Sequence, residues 1–284
     1  MRATSFASAA VALAFPVLAL LGAATHHSPL ESPPPNSYFG FDRNDYPGDD
    51  ALPALRKSFS FAGYWLGPPP GEKRSSWLGK RELLKSQGFG FLLLYLAPDS
   101  DKIKNNAAAR QKGIADAQSA ARLATAEGFP TDSVIFLDIE EGGRLPASYH
   151  VYLAAFAEEL TRQGFRTGVY ASAMPVDEGQ GVFITTAADI AAHNSQLLIW
   201  AYNDACPPSP GCNPAPQALQ PAQSGFASSA VWQYAQSPRR KEFTAKCPAN
   251  YAADNNCYAP TDEAHKWFLD LNVSNVANPS APKK

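Results

Sequence analysis

Short apolar runs rich in aromatic and β-branched residues recur eight times along the 284-residue chain, and several are apolar on both faces. Residues 91–96, Phe-Leu-Leu-Leu-Tyr-Leu, are typical. A strand that is apolar on both faces has to be covered on both sides, as the strands of a parallel sheet are. The runs predict eight strands, over residues 38–42, 59–66, 89–97, 133–140, 166–172, 196–203, 230–236 and 268–273.

Helical patterns lie between these runs. Residues 106–127 and 147–163 carry apolar residues at three- and four-residue steps, and each stretch is followed by a glycine where a helix ends. Residues 75–87 and 186–193 show weaker helical patterns. Alternation of strands and helices predicts a parallel α/β sheet, and eight strands in one domain of this length predict a closed (β/α)8, TIM-like barrel.

Two stretches depart from the alternation, because residues 204–229 and 237–265 contain prolines and all four cysteines instead of clear helices. They predict irregular loops after strands 6 and 7. The cysteines form two close pairs, and in an exported protein we expect the local disulfides Cys206–Cys212 and Cys247–Cys257. Zinc is the alternative, but neither pair has Cys-x-x-Cys spacing and His265 is the only nearby histidine.

The amino-terminal end has the pattern of a secretory signal peptide. An alanine-rich apolar run follows Met1-Arg2 and ends on small residues at Ala24. We expect cleavage near Ala24 and a secreted or periplasmic protein. A membrane anchor is the alternative, but Pro16 interrupts the short run and no stop-transfer charges follow it. We predict a Pro/Ser-rich linker over residues 25–37, the barrel domain over residues 38–275 and a flexible tail over residues 276–284.

Charge and motif content exclude several classes of function. A formal net charge of −2 with 18% charged residues offers no basic surface for a phosphate backbone, so no nucleic acid is expected as a partner. There is no Gly-x-Ser-x-Gly elbow, no His-Glu-x-x-His and no phosphate-binding glycine loop. We expect a monomer without a stable membrane anchor, a cofactor or a metal. A cation held by Asp42, Asp138 and Glu140 stays open as an alternative.

Two acids end the fourth predicted strand. Residues 134–141 read Val-Ile-Phe-Leu-Asp-Ile-Glu-Glu, and Asp138 and Glu140, two residues apart, share one face of a strand. At this range like charges raise the pKa of one carboxyl, so one acid can donate a proton while its neighbour stays anionic. The pair predicts catalytic carboxyls, and two solvated loop acids are the alternative.

The carboxyl ends of all strands meet at one rim of such a barrel, where the active site is built. Acids, amides and aromatic rings collected there suit a sugar, whose C–H faces pack on rings and whose hydroxyls bind carboxylates and amides. The predicted substrate-binding residues are Asp42, Tyr95, Tyr170, Trp200, Tyr202, Trp232, Gln233, Asp270 and Asn272. Core packing is the alternative for the tryptophans. Asp270 lies between two leucines, where a carboxylate has to be paired or functional.

Five motifs, in order along the chain, resemble those of a known family. They are Gly40-Phe-Asp42, Phe136-Leu-Asp-Ile-Glu140, Gly168-Val-Tyr-Ala-Ser172, Trp232-Gln-Tyr234 and Asp270-Leu-Asn272. The series is similar to the DUF1906, or Rv2525c-like, glycoside-hydrolase-like domains of exported bacterial proteins, which are related to the GH25 lysozymes. The resemblance spans residues 38 to about 274.

The resemblance implies a TIM-like barrel that cleaves the β-1,4 bond after N-acetylmuramic acid in peptidoglycan, or a bond in a related N-acetylated glycan. It implies Glu140 as the general acid/base and Asp138 as the acid that steadies the 2-acetamido group or the cationic centre. The resemblance also implies that Asp42 and Asp270 are acids at the rim that flank this pair. Two alternatives remain, a barrel that binds a glycan of the cell envelope without cutting it and a structural module of the envelope.

Overall fold

The computed structural model describes residues 37–204, 219–236 and 268–283. The predicted signal peptide and both predicted disulfides lie outside these residues. The described strands are β1 (Tyr38–Asp42), β2 (Phe61–Trp65), β3 (Gly90–Leu96), β4 (Val134–Asp138), β5 (Arg166–Ser172), β6 (Val176–Asp177), β7 (Phe183–Ile184), β8 (Leu198–Tyr202), β9 (Ser229–Ala235) and β10 (Asp270–Ser274). Strands β6 and β7 pair only with each other, and the other eight close into a barrel in the order β1-β10-β9-β8-β5-β4-β3-β2.

The direction of the last strand differs from the prediction. Seven barrel strands run parallel, whereas β10 is antiparallel to both β9 and β1. An antiparallel neighbour needs no crossover helix, which agrees with the weak helical pattern of the sequence between β9 and β10. Because β10 is reversed, its first residue, Asp270, pairs with Asp42 at the end of β1. The amino-terminal end of β10 therefore lies at the rim formed by the carboxyl ends of the other strands.

Helices cover the parallel part of the barrel. They are α1 (Leu52–Leu55), α2 (Arg81–Ser86), α3 (Asn106–Ala126), α4 (Ala147–Arg162) and α5 (Thr186–His193). The glycines predicted to end α3 and α4, Gly128 and Gly164, have φ of 78° and 86°, a left-handed conformation that suits glycine. Helix α1 was not predicted, and α2 is shorter than its pattern. No helix among the described residues is long and apolar enough to cross a membrane.

Close packing fills the inside of the barrel below the rim. The Phe136 ring of β4 meets the Trp200 indole of β8 edge to face, with centroids 6.0 Å apart. A Cβ atom at Gly168 of β5 would lie 2.4 Å from the Phe136 ring, so only glycine fits beside it. The large aromatic rings of one strand are therefore accommodated by a missing side chain on the next.

The carboxyl-terminal strap, which we define as residues 278–283, lies within the predicted tail and is hydrogen-bonded to the barrel. Ser280 is 3% exposed and bridges two strands. Its N–H donates to the Phe91 carbonyl (2.9 Å), and its carbonyl accepts from the Val134 N–H (3.0 Å). Its hydroxyl accepts from the Leu93 N–H (2.9 Å). The strap thus supplies partners to backbone groups near the amino-terminal ends of β3 and β4, at the end of the barrel opposite the rim.

Candidate active site

Asp42 is held at the barrel mouth by two amide side chains. It is the last residue of β1 and is 6% exposed. Asn272 Nδ2 donates to its Oδ1 at 2.6 Å, and Gln233 Nε2 donates to both oxygens, at 3.1 and 3.3 Å. Burial raises the pKa of Asp42 to about 6, although the two amides oppose the rise.

Two aromatic donors orient those amides. Trp200 Nε1 donates to Asn272 Oδ1 at 2.9 Å, and the Tyr170 hydroxyl donates to Gln233 Oε1 at 2.8 Å. Since each amide oxygen accepts one of these bonds, each amide NH2 is turned towards Asp42. The Trp200 side chain lies in the core, where it supports the site without reaching the surface. The five side chains form one hydrogen-bonded unit that fixes the position of the Asp42 carboxyl.

Asp138 is the buried acid of the site. It ends β4, is 5% exposed and receives no side-chain hydrogen bond from the described part of the chain. Burial raises its pKa well above the ordinary value, and the charges of Glu140 and Asp42 add to the rise. A buried carboxyl without protein donors is costly for a fold, so its lone pairs are available to a ligand.

Glu140 lies at the mouth and is exposed. Strand β4 ends two residues before it, although strand-like pairing continues through Ile139, whose N–H donates to the Tyr170 carbonyl at 3.1 Å. Partial withdrawal from water raises the pKa of Glu140, and the charge of Asp99 adds to the rise. The site therefore combines an exposed carboxyl and a buried one, both of which hold their protons more tightly than free acids.

The neighbouring acid, Glu141, is hydrogen-bonded to the backbone of the loop after β3. Its carboxylate accepts a hydrogen bond from the Ser100 N–H in the loop after β3. Glu140 and Glu141 are adjacent in sequence and have the same side chain, yet only Glu140 raises the pKa of Asp138. This difference makes Glu141 a natural control for Glu140.

The structure brings most of the predicted binding residues to one place. The Tyr170 ring contacts the Trp200 and Tyr202 rings, with centroids 4.7 and 6.1 Å away. Burial raises the pKa of the Tyr170 hydroxyl well above its ordinary value, and Asp138, Asp42 and Asp270 add to the rise. The hydroxyl therefore stays protonated and can donate. The residues that meet at the mouth are Asp42, Asp138, Glu140, Tyr170, Tyr202, Gln233, Asp270 and Asn272, and Trp200 lies beneath them in the core.

The structure places two of the predicted substrate-binding residues, Tyr95 and Trp232, away from the mouth. Both lie on the outer faces of their strands. The Tyr95 ring packs on Phe156 of α4, with centroids 6.4 Å apart, and its hydroxyl bonds to Ser119 of α3. Trp232 is adjacent in β9 to the inward-facing Gln233, and its Nε1 donates to the Asn203 carbonyl at 2.9 Å. Alternation along a strand sends neighbouring side chains to opposite faces, so neither ring points into the barrel.

Asp99 was missed in the sequence. It follows β3 in the loop at the same rim, and its charge raises the pKa of Glu140. The rule that collects residues at the carboxyl ends of strands would have found it had the search continued past the end of the apolar run.

A closed eight-stranded barrel with a buried and an exposed carboxyl at its rim, above an amide network, defines a glycoside hydrolase-like protein. The model of the Rv2525c-like, glycoside hydrolase-like domain matches residues 76–273, and the chain belongs to this family. The match begins after β2, so Asp42 lies outside it. A comparison with curated proteins gives no match.

Solved structures share the fold. One is an uncharacterized B. stearothermophilus protein, with 22% identity and a TM-score of 0.54, covering 84% of this chain and 95% of that one. The Clostridium perfringens spore cortex lytic enzyme SleM has 15% identity and a TM-score of 0.50, covering 84% and 68%. The Mycobacterium tuberculosis Tat-secreted protein Rv2525c, in complex with L-tartrate, has 15% identity and a TM-score of 0.47, covering 84% and 94%. At these identities the first two structures show a shared fold and nothing more.

Proposed function

We propose that the protein is an exported hydrolase of β-1,4-linked, N-acetylated glycan, with peptidoglycan as the first candidate substrate. The observation that carries the proposal is the buried carboxyl of Asp138, which lacks a hydrogen bond from the described residues and lies next to the exposed carboxyl of Glu140. A fold that needed only stability would fill this position with an apolar or fully bonded side chain. The signal-peptide pattern of residues 1–24 supports export.

Glu140 acts as the general acid in this proposal. Its raised pKa keeps a proton on the carboxyl at a higher pH than a free glutamic acid would, and its exposed position allows it to reach the oxygen of a glycosidic bond. Proton donation lets the leaving sugar depart as an alcohol. The same carboxylate then removes a proton from the water that completes hydrolysis.

Asp138 positions the substrate's own 2-acetamido group. In a substrate-assisted route the acetamido oxygen attacks the anomeric carbon, and the positive charge that develops needs a nearby acceptor for the amide N–H. Asp138 has lone pairs for this contact because no described residue donates to its side chain. Asp42 and Asp270 place further negative charge at the rim, where it opposes the positive charge of the oxocarbenium-like transition state.

The fold relatives give limited support for the choice of substrate. SleM is named as a spore cortex lytic enzyme, and the family is named as glycoside hydrolase-like. Aromatic side chains at the mouth, of which Tyr202 is half-buried, offer a surface for the C–H face of a sugar ring.

Reducing-end release from purified peptidoglycan, and from a panel of other β-linked glycans, tests the proposal with protein beginning at Thr25. Glu140→Gln removes the transferable proton and is expected to lower the rate by roughly a hundredfold or more. Glu141→Gln is the matched control, because its side-chain oxygen can still accept from the Ser100 N–H. We expect this variant to retain activity.

Two outcomes contradict the proposal. Equal rates for wild type and Glu140→Gln would remove the acid from the reaction. No release from any glycan, with wild type and Glu140→Gln both sedimenting with insoluble cell wall, would instead indicate a barrel that binds the wall without cutting it.

A further inference from the structure

Two histidines and an aspartate meet outside the barrel, between α4 and α5. His150 lies in the first turns of α4, and Asp189 and His193 are four residues apart on α5, so they share one face of that helix. One ligand atom from each of the three side chains lies within 4.8 Å of the others. We refer to these three residues as the His-Asp-His cluster.

One buried carboxylate oxygen of the cluster has no hydrogen bond. The Asp189 side chain is 1% exposed; its Oδ2 accepts from the Leu145 N–H at 2.9 Å, while its Oδ1 has no hydrogen bond. His150 Nε2 is also buried, and its neighbour is Asp189 Oδ2, 3.0 Å away. Nearly all buried polar atoms in folded proteins have a partner. A buried carboxylate oxygen without a hydrogen bond, beside two imidazoles, therefore points to a ligand that the three side chains share.

The two imidazole rings lie face to face, so one ring has to turn before the in-plane nitrogen lone pairs of both can reach one ion. They are stacked with centroids 3.6 Å apart and an angle of 18° between their planes. His193 Nδ1 donates to the Asp189 carbonyl at 2.8 Å, which leaves Nε2 as the ring atom with a free lone pair. A backbone carbonyl that fixes the second nitrogen in this way is a usual companion of a ligating histidine.

The charges around the cluster favour a cation. Arg144 Nη1 lies 3.6 Å from Asp189 Oδ1, but the same guanidinium also pairs with Glu178 at 2.9 Å. Two carboxylates and one guanidinium leave a local charge of about −1, which a divalent ion would change to about +1. A cavity of about 230 Å³, lined by His150, His193, Ile190 and Asn194 among others, adjoins the rings. It has room for the water molecules that complete a coordination sphere.

We propose that His150, Asp189 and His193 form a binding site for a divalent transition metal, with Zn²⁺ as the leading candidate. Two imidazoles and one carboxylate select zinc and its neighbours over Mg²⁺ and Ca²⁺, which prefer sites made of oxygen ligands. Three protein ligands with an open position beside a cavity are typical of accessible zinc sites.

The cluster is connected to the loop that carries Glu140. Thr186, on the same helix as Asp189, donates to the carbonyls of Glu141 and Gly143, at 3.0 and 2.9 Å. Asp189 holds the Leu145 N–H farther along that loop. A metal bound to Asp189 would therefore fix α5, α4 and the loop relative to one another. The site lies outside the mouth of the barrel and does not depend on the proposed glycan hydrolysis.

Titration calorimetry with Zn²⁺, together with the visible absorption of added Co²⁺, tests the site on the protein beginning at Thr25. We expect one Zn²⁺ per chain and a higher melting temperature in Zn²⁺ than in EDTA. His193→Gln changes a half-exposed side chain, so it should fold, and it should weaken binding by at least about tenfold. His150→Gln should do the same.

His265→Gln is the matched control, because it removes a histidine from outside the cluster, near the cysteines. It should bind Zn²⁺ as the wild type does. Failure of the wild type to bind Zn²⁺ would overturn the proposal. So would unchanged affinity in both cluster variants, or a loss of binding in His265→Gln that assigns the metal to the cysteine-rich segments.

Discussion

The stability of an Asp42→Asn variant relative to wild type should rise with pH, because burial makes ionisation of the Asp42 carboxyl costly for the folded state. The side chain is 6% exposed, and burial raises its pKa from 3.8 to about 6. The folded protein thus holds this proton more tightly than the unfolded chain does. The stabilisation from that proton is fully present below pH 3.8 and is lost as the pH rises through about 6.

The magnitude follows from the difference between the two pKa values. At about 1.4 kcal/mol for each pH unit, ionised Asp42 costs the folded state about 3 kcal/mol relative to its protonated form. Between about pH 4 and about pH 7.5 the stability advantage of Asp42→Asn over wild type should grow by about 2.5 kcal/mol. Loss of the Asp42 charge also makes ionisation of Asp138 easier, which adds to the advantage at high pH.

The network around position 42 can accept an amide. Asn272 Nδ2 would still donate to the side-chain oxygen of the new residue. Gln233 can turn its amide over, so that its oxygen faces the new NH2 group and its nitrogen donates to the Tyr170 hydroxyl. The variant therefore removes the charge, while the Tyr170 hydroxyl loses Gln233 Oε1 as its acceptor, a cost that does not change with pH.

Urea unfolding of wild type and Asp42→Asn at several pH values measures the effect, with the difference in free energy of unfolding plotted against pH. Asp45→Asn is the control, since Asp45 is exposed in the loop after the same strand, and its difference should stay within about 0.5 kcal/mol at every pH. A difference for Asp42→Asn that does not change with pH would refute the reasoning. A variant that loses relative stability as the pH rises would refute it more strongly, because the carboxylate would then stabilise the fold.

Two further changes test the packing that supports the site. Asn272→Leu removes the acceptor of the Trp200 indole and a donor to buried Asp42. We expect the free energy of unfolding in urea to fall by about 3 kcal/mol and the pKa of Asp42 to rise further. A fall below about 1 kcal/mol would contradict the role of the network. Deletion of the carboxyl-terminal strap leaves backbone N–H groups of β3 and β4 without acceptors and should lower stability by at least about 3 kcal/mol; an unchanged melting temperature would show that the strap contributes nothing.

Much of the architecture could be predicted from local patterns. Strands β1 and β5 and helix α5 have the predicted bounds, and the other barrel strands differ by a few residues at their ends. Apolar runs with flanking turns report burial directly, so they locate strands well. The direction of β10 was predicted wrongly, because a strand pattern contains no information on the direction of its neighbours and the sequence between β9 and β10 lacks a clear helix.

The candidate site was predicted only in part, because the end of a strand can be located in the sequence but the face of each side chain cannot. Asp42, Gln233 and Asn272 were assigned to the rim from the ends of their strands, and the structure joins them by hydrogen bonds. Tyr95 and Trp232 were assigned by the same rule, but the rule does not say which face of the strand a side chain occupies. Only the register against neighbouring strands determines that face.

The amino-acid sequence by itself determined the eight apolar strands, the helices between most of them, and the placement of acids at the ends of β1 and β4, because burial and strand periodicity depend on local residue order. Tertiary structure alone decided which groups became partners. The reversal of β10 put Asp270 opposite Asp42, and closure of the barrel brought the Trp200 indole to Asn272, 72 residues away in the chain. Packing of α4 against α5 likewise brought His150 to Asp189. Such contacts join residues distant in sequence, and their energies depend on the burial that only the closed barrel and its helices create.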